Sequence, residues 1–159
     1  MIKATAKTTF LLAGHGSRNR EGNDEIERFA AEWRAKHPDW RIEVCFIEHA
    51  DVLLNDGLDR AAKSVGSAGR VVLIPFILNA AGHVKMELPA AIEAARARHP
   101  GVSFACARHL GMGREILKVL QGQLDRLMQA LAMPDPQTTG VILLGRGSRA
   151  SSSATRASA

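Results

Sequence analysis

Two periods of apolar residues take turns along this chain, and each change of period marks the start of a new element. Residues 8–13 are an apolar run of strand length that stops at Gly14-His15-Gly16. Beyond that turn Ile26, Phe29, Ala30 and Trp33 recur at the spacing of one helical face, with Glu25, Glu27, Arg28 and Glu32 directed elsewhere, which predicts a first helix ending near His37-Pro38. Residues 40–47 form a second strand, whose apolar positions become continuous through Cys45-Phe46-Ile47, as expected where both faces of a strand are covered. It ends in Glu48-His49. Leu54, Leu58, Ala61, Ala62 and Val65 trace a second helix closed by Gly66 and Gly69. Residues 70–76 are a third strand with Pro75 late in it, where one missing ladder hydrogen bond is tolerable. Residues 84–99 return to helical spacing through Leu88, Ile92 and Ala95, with Pro89 suited to the opening turn. Residues 102–107 are a short fourth strand, and Leu117, Leu120, Leu124, Leu127, Met128 and Leu131 mark a fourth helix ending before Pro134. Strands alternating with helices predict an α/β fold: a four-stranded parallel sheet with helices on both faces, joined by right-handed crossovers.

A repeat interrupts this order. Residues 139–149 (Thr-Gly-Val-Ile-Leu-Leu-Gly-Arg-Gly-Ser-Arg) answer residues 8–18 (Thr-Thr-Phe-Leu-Leu-Ala-Gly-His-Gly-Ser-Arg) position for position, with Arg146 where the first copy has His15. The expected organisation is therefore a domain over 1–133, a Pro-rich linker over 134–138, the start of a second, truncated repeat over 139–149, and a disordered Ser- and Ala-rich tail over 150–159. The simpler alternative makes residues 141–144 an extra edge strand of the first domain, which would cover unpaired backbone.

Composition narrows the partners. The 159 residues carry a net charge of +5, which favours acidic partners: nucleic acid, membrane phosphate or a polycarboxylate small molecule. With no tyrosine and 4% aromatic residues, base-stacking platforms are not expected, and neither is nucleic-acid binding. No apolar run is long enough for a bilayer and no secretory leader precedes the first strand, so the expectation is a cytoplasmic protein without membrane association. Cys45 and Cys106 fall in predicted strands without paired spacing, and are expected as buried free thiols.

The candidate chemistry sits where strands end. His15, Glu48 and His83 each lie just beyond the carboxyl end of a different strand, the edge at which open α/β sheets bind ligands. Glycines flanking His15 remove side chains that would screen its ring. Two imidazoles and a carboxylate can hold a divalent metal or take up protons near neutral pH. The apolar segment 77–81 before His83 offers a floor for a greasy ligand, and His49, beside Glu48, is placed to join the group. His37 and His99, each before proline at a helix end, read as structural. A dinucleotide-binding loop is excluded because Asn19 stands where the third glycine belongs, no Walker lysine motif exists, and Ser17 is not in a nucleophile elbow.

Leu-Leu-Ala-Gly-His-Gly-Ser-Arg at 11–18 with Asn23 beyond it, Phe-Ile-Glu at 46–48, and Pro-Phe-Ile-Leu-Asn-Ala-Ala-Gly-His-Val-Lys at 75–85 together resemble the sirohydrochlorin chelatases. These class II chelatases insert cobalt on the way to cobalamin, or iron to make siroheme. The resemblance implies a flavodoxin-like, chelatase-like three-layer fold and metal insertion without ATP or an organic cofactor, with Co2+ or Fe2+ as substrate. It implies that His15 and His83 bind the metal and help deprotonate the pyrroles, with Glu48 assisting. It also implies, as in the long duplicated members, that two domains face each other across the tetrapyrrole. A homodimer of this chain would supply the same cleft. Two positions depart from the family pattern: Glu87 replaces a more usual aspartate, and Val52 a common helix-opening proline. The expectation is a sirohydrochlorin cobaltochelatase, with a siroheme ferrochelatase or a non-catalytic metal or tetrapyrrole carrier as alternatives. Eight substrate carboxylates suit a basic host, and imidazole with carboxylate suits either metal.

Overall fold

A run of residues can be buried throughout only as a strand with neighbours on both sides and helices on both faces. In the computed structural model, which describes residues 8–78, 86–111, 113–131, 135, 137, 138, 140 and 142, that run is β1 (Thr8–Gly14), buried throughout. Then come α1 (Arg20–Lys36), β2 (Arg41–Phe46), α2 (Leu54–Val65), β3 (Arg70–Pro75), α3 (Leu88–Arg98), β4 (Ser103–Cys106) and α4 (Arg114–Ala130). The chain divides at Gly111 into a first unit holding the sheet with α1, α2 and α3, and a second that contains α4.

All strand pairs are parallel, in the order β2-β1-β3-β4. The chain steps from β1 to one side for β2, then crosses to the other for β3, so its winding reverses at β1. A sheet of this kind binds ligands beyond the carboxyl ends of its strands at the reversal. The alternation along β1 sorts the core into two layers. Leu11 and Ala13 pack with Cys45, Val71 and Leu73 against α2 and α3, while Phe10 and Leu12 pack with Ile42, Val44, Phe46 and Val72 against Ala30 of α1. Gly57 lets α2 lie directly on β2, since a Cβ there would stand 2.4 Å from that of Cys45. The buried Thr9 hydroxyl meets Ser64 Oγ at 2.9 Å, and Ser64 Oγ in turn donates to the Ala61 carbonyl at 2.8 Å, so this polar pair is satisfied within the core.

The helix ends follow their signals. Asn19 caps α1 by accepting from the Glu21 N–H, and His37 closes it by donating its own N–H to the Trp33 and Arg34 carbonyls. The His37 ring stacks on Trp40 at 4.2 Å, and Trp40 in turn packs on Phe10. His99 caps α3, and its Nε2 lies 2.8 Å from Asp59 Oδ1, joining α3 to α2. Both histidines are structural, as their positions before proline indicated.

Three expectations need restating. The third helix was expected from residue 84 but runs over Leu88–Arg98, preceded by a wider turn at Met86 and Glu87; residues 84 and 85 lie outside the described part. Cys45 is buried as expected but Cys106 is exposed, because it closes the short edge strand β4. The apolar stripe does form α4, yet Leu117, Leu120, Leu127 and Leu131 are exposed. Apart from Gly140 and Ile142, the repeat over 139–149 lies outside the described residues, as does the tail.

Candidate metal and tetrapyrrole site

The β1–β2 ladder does not stop where the strands do. Ile47 N–H donates to the Gly14 carbonyl and Glu48 N–H to the His15 carbonyl, both at 3.0 Å, so the two turns are paired rung for rung. Gly16 makes this approach possible. Its φ is +95°, and a Cβ on it would stand 1.7 Å from the Glu48 carbonyl oxygen. Glycine is required here for its missing side chain as much as for its backbone freedom.

The ladder brings the side chains of His15 and Glu48 together on the carboxyl rim, with His15 Nδ1 3.4 Å from Glu48 Oε1. On the other side of the carboxylate, His49 Nε2 lies 3.5 Å from Oε2. His49 sits at φ +53°, uncommon for a residue with a side chain, and this directs its ring back towards Glu48. All three side chains are more than a third exposed, with His15 the most accessible at 48%. The imidazole is presented to solvent, as its glycine flanks predicted.

The spacing bears on the chemistry. Two ligand atoms each about 2.1 Å from a tetrahedrally coordinated first-row ion stand about 3.4 Å apart. The His15–Glu48 pair already has that separation. His15 and His49 address opposite oxygens of Glu48, so the three do not share one point. Among the described residues no set of three or more His, Cys, Asp or Glu side chains is grouped to hold an ion. His83, the remaining sequence candidate, lies outside the described residues. The strand that leads to it is in place, since the Phe76 N–H leaving β3 donates to the Ala13 carbonyl at 2.8 Å, next to His15.

Two features of the site were not visible in the sequence: the contacts of a residue its motif already included, and a cavity. One is Asn23, half-buried in the first turns of α1, whose carboxamide bonds the turns after β1 and β2 at once. Its only signal was its position shortly after Gly-His-Gly-Ser. The other is an open polar cavity of about 350 Å³ reached from His49 and Asn23, where Arg18 and Arg20 face Asp24, Glu27 and Asp51.

A reversing parallel α/β sheet with an imidazole and a carboxylate side by side on its carboxyl rim defines an open-sheet α/β domain, a class whose ligands bind at that rim. More narrowly, the sequence model of the CbiX family matches residues 9–127, and the chain belongs to that family. It is 37% identical over 139 residues to the sirohydrochlorin cobaltochelatase of Priestia megaterium, a match covering 86% of this chain and 44% of that protein. It is 26% identical to the sirohydrochlorin ferrochelatase of Bacillus subtilis strain 168, over 89% of this chain and 52% of that protein. The chain thus spans about half the length of the curated relatives it matches. The sirohydrochlorin chelatase SirB from Bacillus subtilis subspecies spizizenii, solved in complex with cobalt, superposes with a TM-score of 0.69 at 24% identity, over 77% of this chain and 51% of that one. That likeness establishes the flavodoxin-like fold.

Proposed function

We propose that this chain is a sirohydrochlorin chelatase domain that inserts a divalent metal, Co2+ in preference to Fe2+, into the tetrapyrrole without ATP. The observation that carries the reading is the His15–Glu48 pair, held at ligand spacing on an exposed rim of a CbiX-family sheet. The cobaltochelatase name of the 37%-identical relative supports cobalt, and the ferrochelatase relatives keep iron as the second reading. The pathway served is cobalamin biosynthesis on the first reading and siroheme on the second.

His15, Glu48 and His83 are the proposed metal ligands and bases. Insertion forms bonds from the metal to the ring nitrogens and releases two pyrrole protons. An imidazole–carboxylate pair is chemically suited to both halves of that exchange, binding the incoming ion and accepting a proton as the ion leaves. The net charge of +5 suits the substrate's carboxylates. A second ring-facing wall would come from another chelatase domain, either a second repeat opening at 139–149 or another copy of this chain. Among the described residues no helix is long and apolar enough to cross a membrane.

The test is insertion of Co2+ into sirohydrochlorin, followed by the change in tetrapyrrole absorbance. Wild type is expected to turn over and His15→Ala to lose about 100-fold or more, the scale for removing a positioned acid–base group. Full activity in His15→Ala would reject the assignment. Stoichiometric binding without turnover in wild type would select the carrier reading.

A further inference from the structure

We infer that Asn23 is a positioning residue for the metal pair, an inference that rests on the proposed chelatase reading. Its carboxamide is used on both sides. Oδ1 accepts from the Ser17 N–H at 2.8 Å, and Nδ2 donates to the Ser17 carbonyl at 3.1 Å and to the His49 carbonyl at 2.9 Å. Ser17 follows His15 by two residues, and His49 follows Glu48 directly. One side chain, anchored in α1, therefore ties together the two turns that carry the candidate ligands.

The bridge acts where the backbone is least comfortable. His49 sits at φ +53° and Gly16 at +95°, and the two turns touch through the Glu48 carbonyl. Conformations of this kind persist only where the surroundings over-determine them. The ladder bond from Glu48 N–H to the His15 carbonyl holds one side of the Glu48 peptide unit, and Asn23 holds the next carbonyl along. Asn23 is thereby arranged to fix the direction in which the Glu48 carboxylate and the His49 ring leave the chain. Two donors and one acceptor are needed together, a combination that a carboxamide offers and a carboxylate does not.

Supporting side chains of this type change metal affinity or activity by about 10–100-fold when removed. Asn23→Ala and Asn23→Asp are compared with Asn19→Ala, which removes the α1 cap without touching the bridge. Aspartate keeps the shape and the acceptor for the Ser17 N–H but loses both donors. Each variant is measured for Co2+ affinity by titration of the protein alone, for amide hydrogen exchange at Glu48, and for Tm. Both Asn23 variants are expected to bind Co2+ about 10–100-fold more weakly and to exchange the Glu48 amide faster, while Asn19→Ala lowers Tm with Co2+ affinity unchanged. Wild-type affinity and wild-type Glu48 protection in the Asn23 variants would overturn the inference, as would equal losses of affinity in Asn19→Ala. If wild type binds no Co2+ yet Asn23→Ala still speeds exchange at Glu48, the chelatase reading falls and the tie between the turns stands.

Discussion

Gly16→Ala is the sharpest single perturbation of the site. The added methyl would meet the Glu48 carbonyl oxygen at 1.7 Å, inside the 3.0 Å that Cβ atoms respect, so the two turns must part by more than an ångström. The obstacle is backbone on both sides, and no side chain can swing away. The positive φ adds about 1–2 kcal/mol for any residue with a Cβ, and losing the rung from Glu48 N–H to the His15 carbonyl adds about 1 kcal/mol. The sum, about 2–3 kcal/mol, should appear as a lower urea midpoint with an unchanged slope. Gly66→Ala separates the two causes, because Gly66 has φ +67° but nothing within 4 Å of its added Cβ. It should pay the backbone cost alone. Parting the turns also pulls Glu48 from His15, and a displacement of about 1 Å at a reacting centre costs about 100-fold, read as cobalt insertion by tetrapyrrole absorbance. A Gly16→Ala protein no less stable than Gly66→Ala, with insertion undiminished, would refute the account of the paired turns.

Gly57→Ala sets helix propensity against packing: alanine favours a helix by about 1 kcal/mol, but here its methyl meets Cys45 Cβ at 2.4 Å. Overpacking costs about 1–3 kcal/mol, so packing should win by up to about 2 kcal/mol net in denaturant unfolding. Burial and the nearby Glu43 charge push the Cys45 thiol up to about 12, so at pH 8 the folded protein should expose one alkylatable thiol, Cys106, and the unfolded protein two, counted by mass spectrometry. Burial tends to raise the Asp59 carboxyl, but hydrogen bonds and charge from His99 and Arg98 outweigh it and hold the group below the usual carboxylate range. Its contribution is complete above the ordinary value of about 3.9 and fades as pH falls through the lowered folded value. The Tm gap between wild type and Asp59→Asn should therefore narrow from pH 6 to pH 3, and a gap independent of pH would contradict the pairing.

The elements were legible because their period is set by burial, and the site was legible only where chain topology alone determines position. β1, β2 and β3 are apolar runs too long to expose, so their ends, and with them His15 and Glu48, had to reach one rim of a parallel sheet. His37 and His99 were recognisable as helix-end residues by the prolines that follow them. Other features depend on contacts between residues distant in sequence. Nothing local to Gly16 reveals that Glu48 lies against it, and nothing in Asn23 reveals that its amide reaches the carbonyl of His49 across another strand's turn. Cys106 misled for a related reason, since an apolar strand pattern does not tell an edge strand from a central one. The stripe on α4 forecast a helix correctly, but periodicity says nothing of what covers that helix.

The ladder that runs past the ends of β1 and β2 holds the backbones of His15 and Glu48 one rung apart. The roots of the imidazole and the carboxylate are therefore set when the chain folds, and only their half-exposed side chains are left to turn. A residue with a Cβ in place of Gly16 would lever those roots apart, so the spacing of the rim is written into a position that carries no side chain of its own.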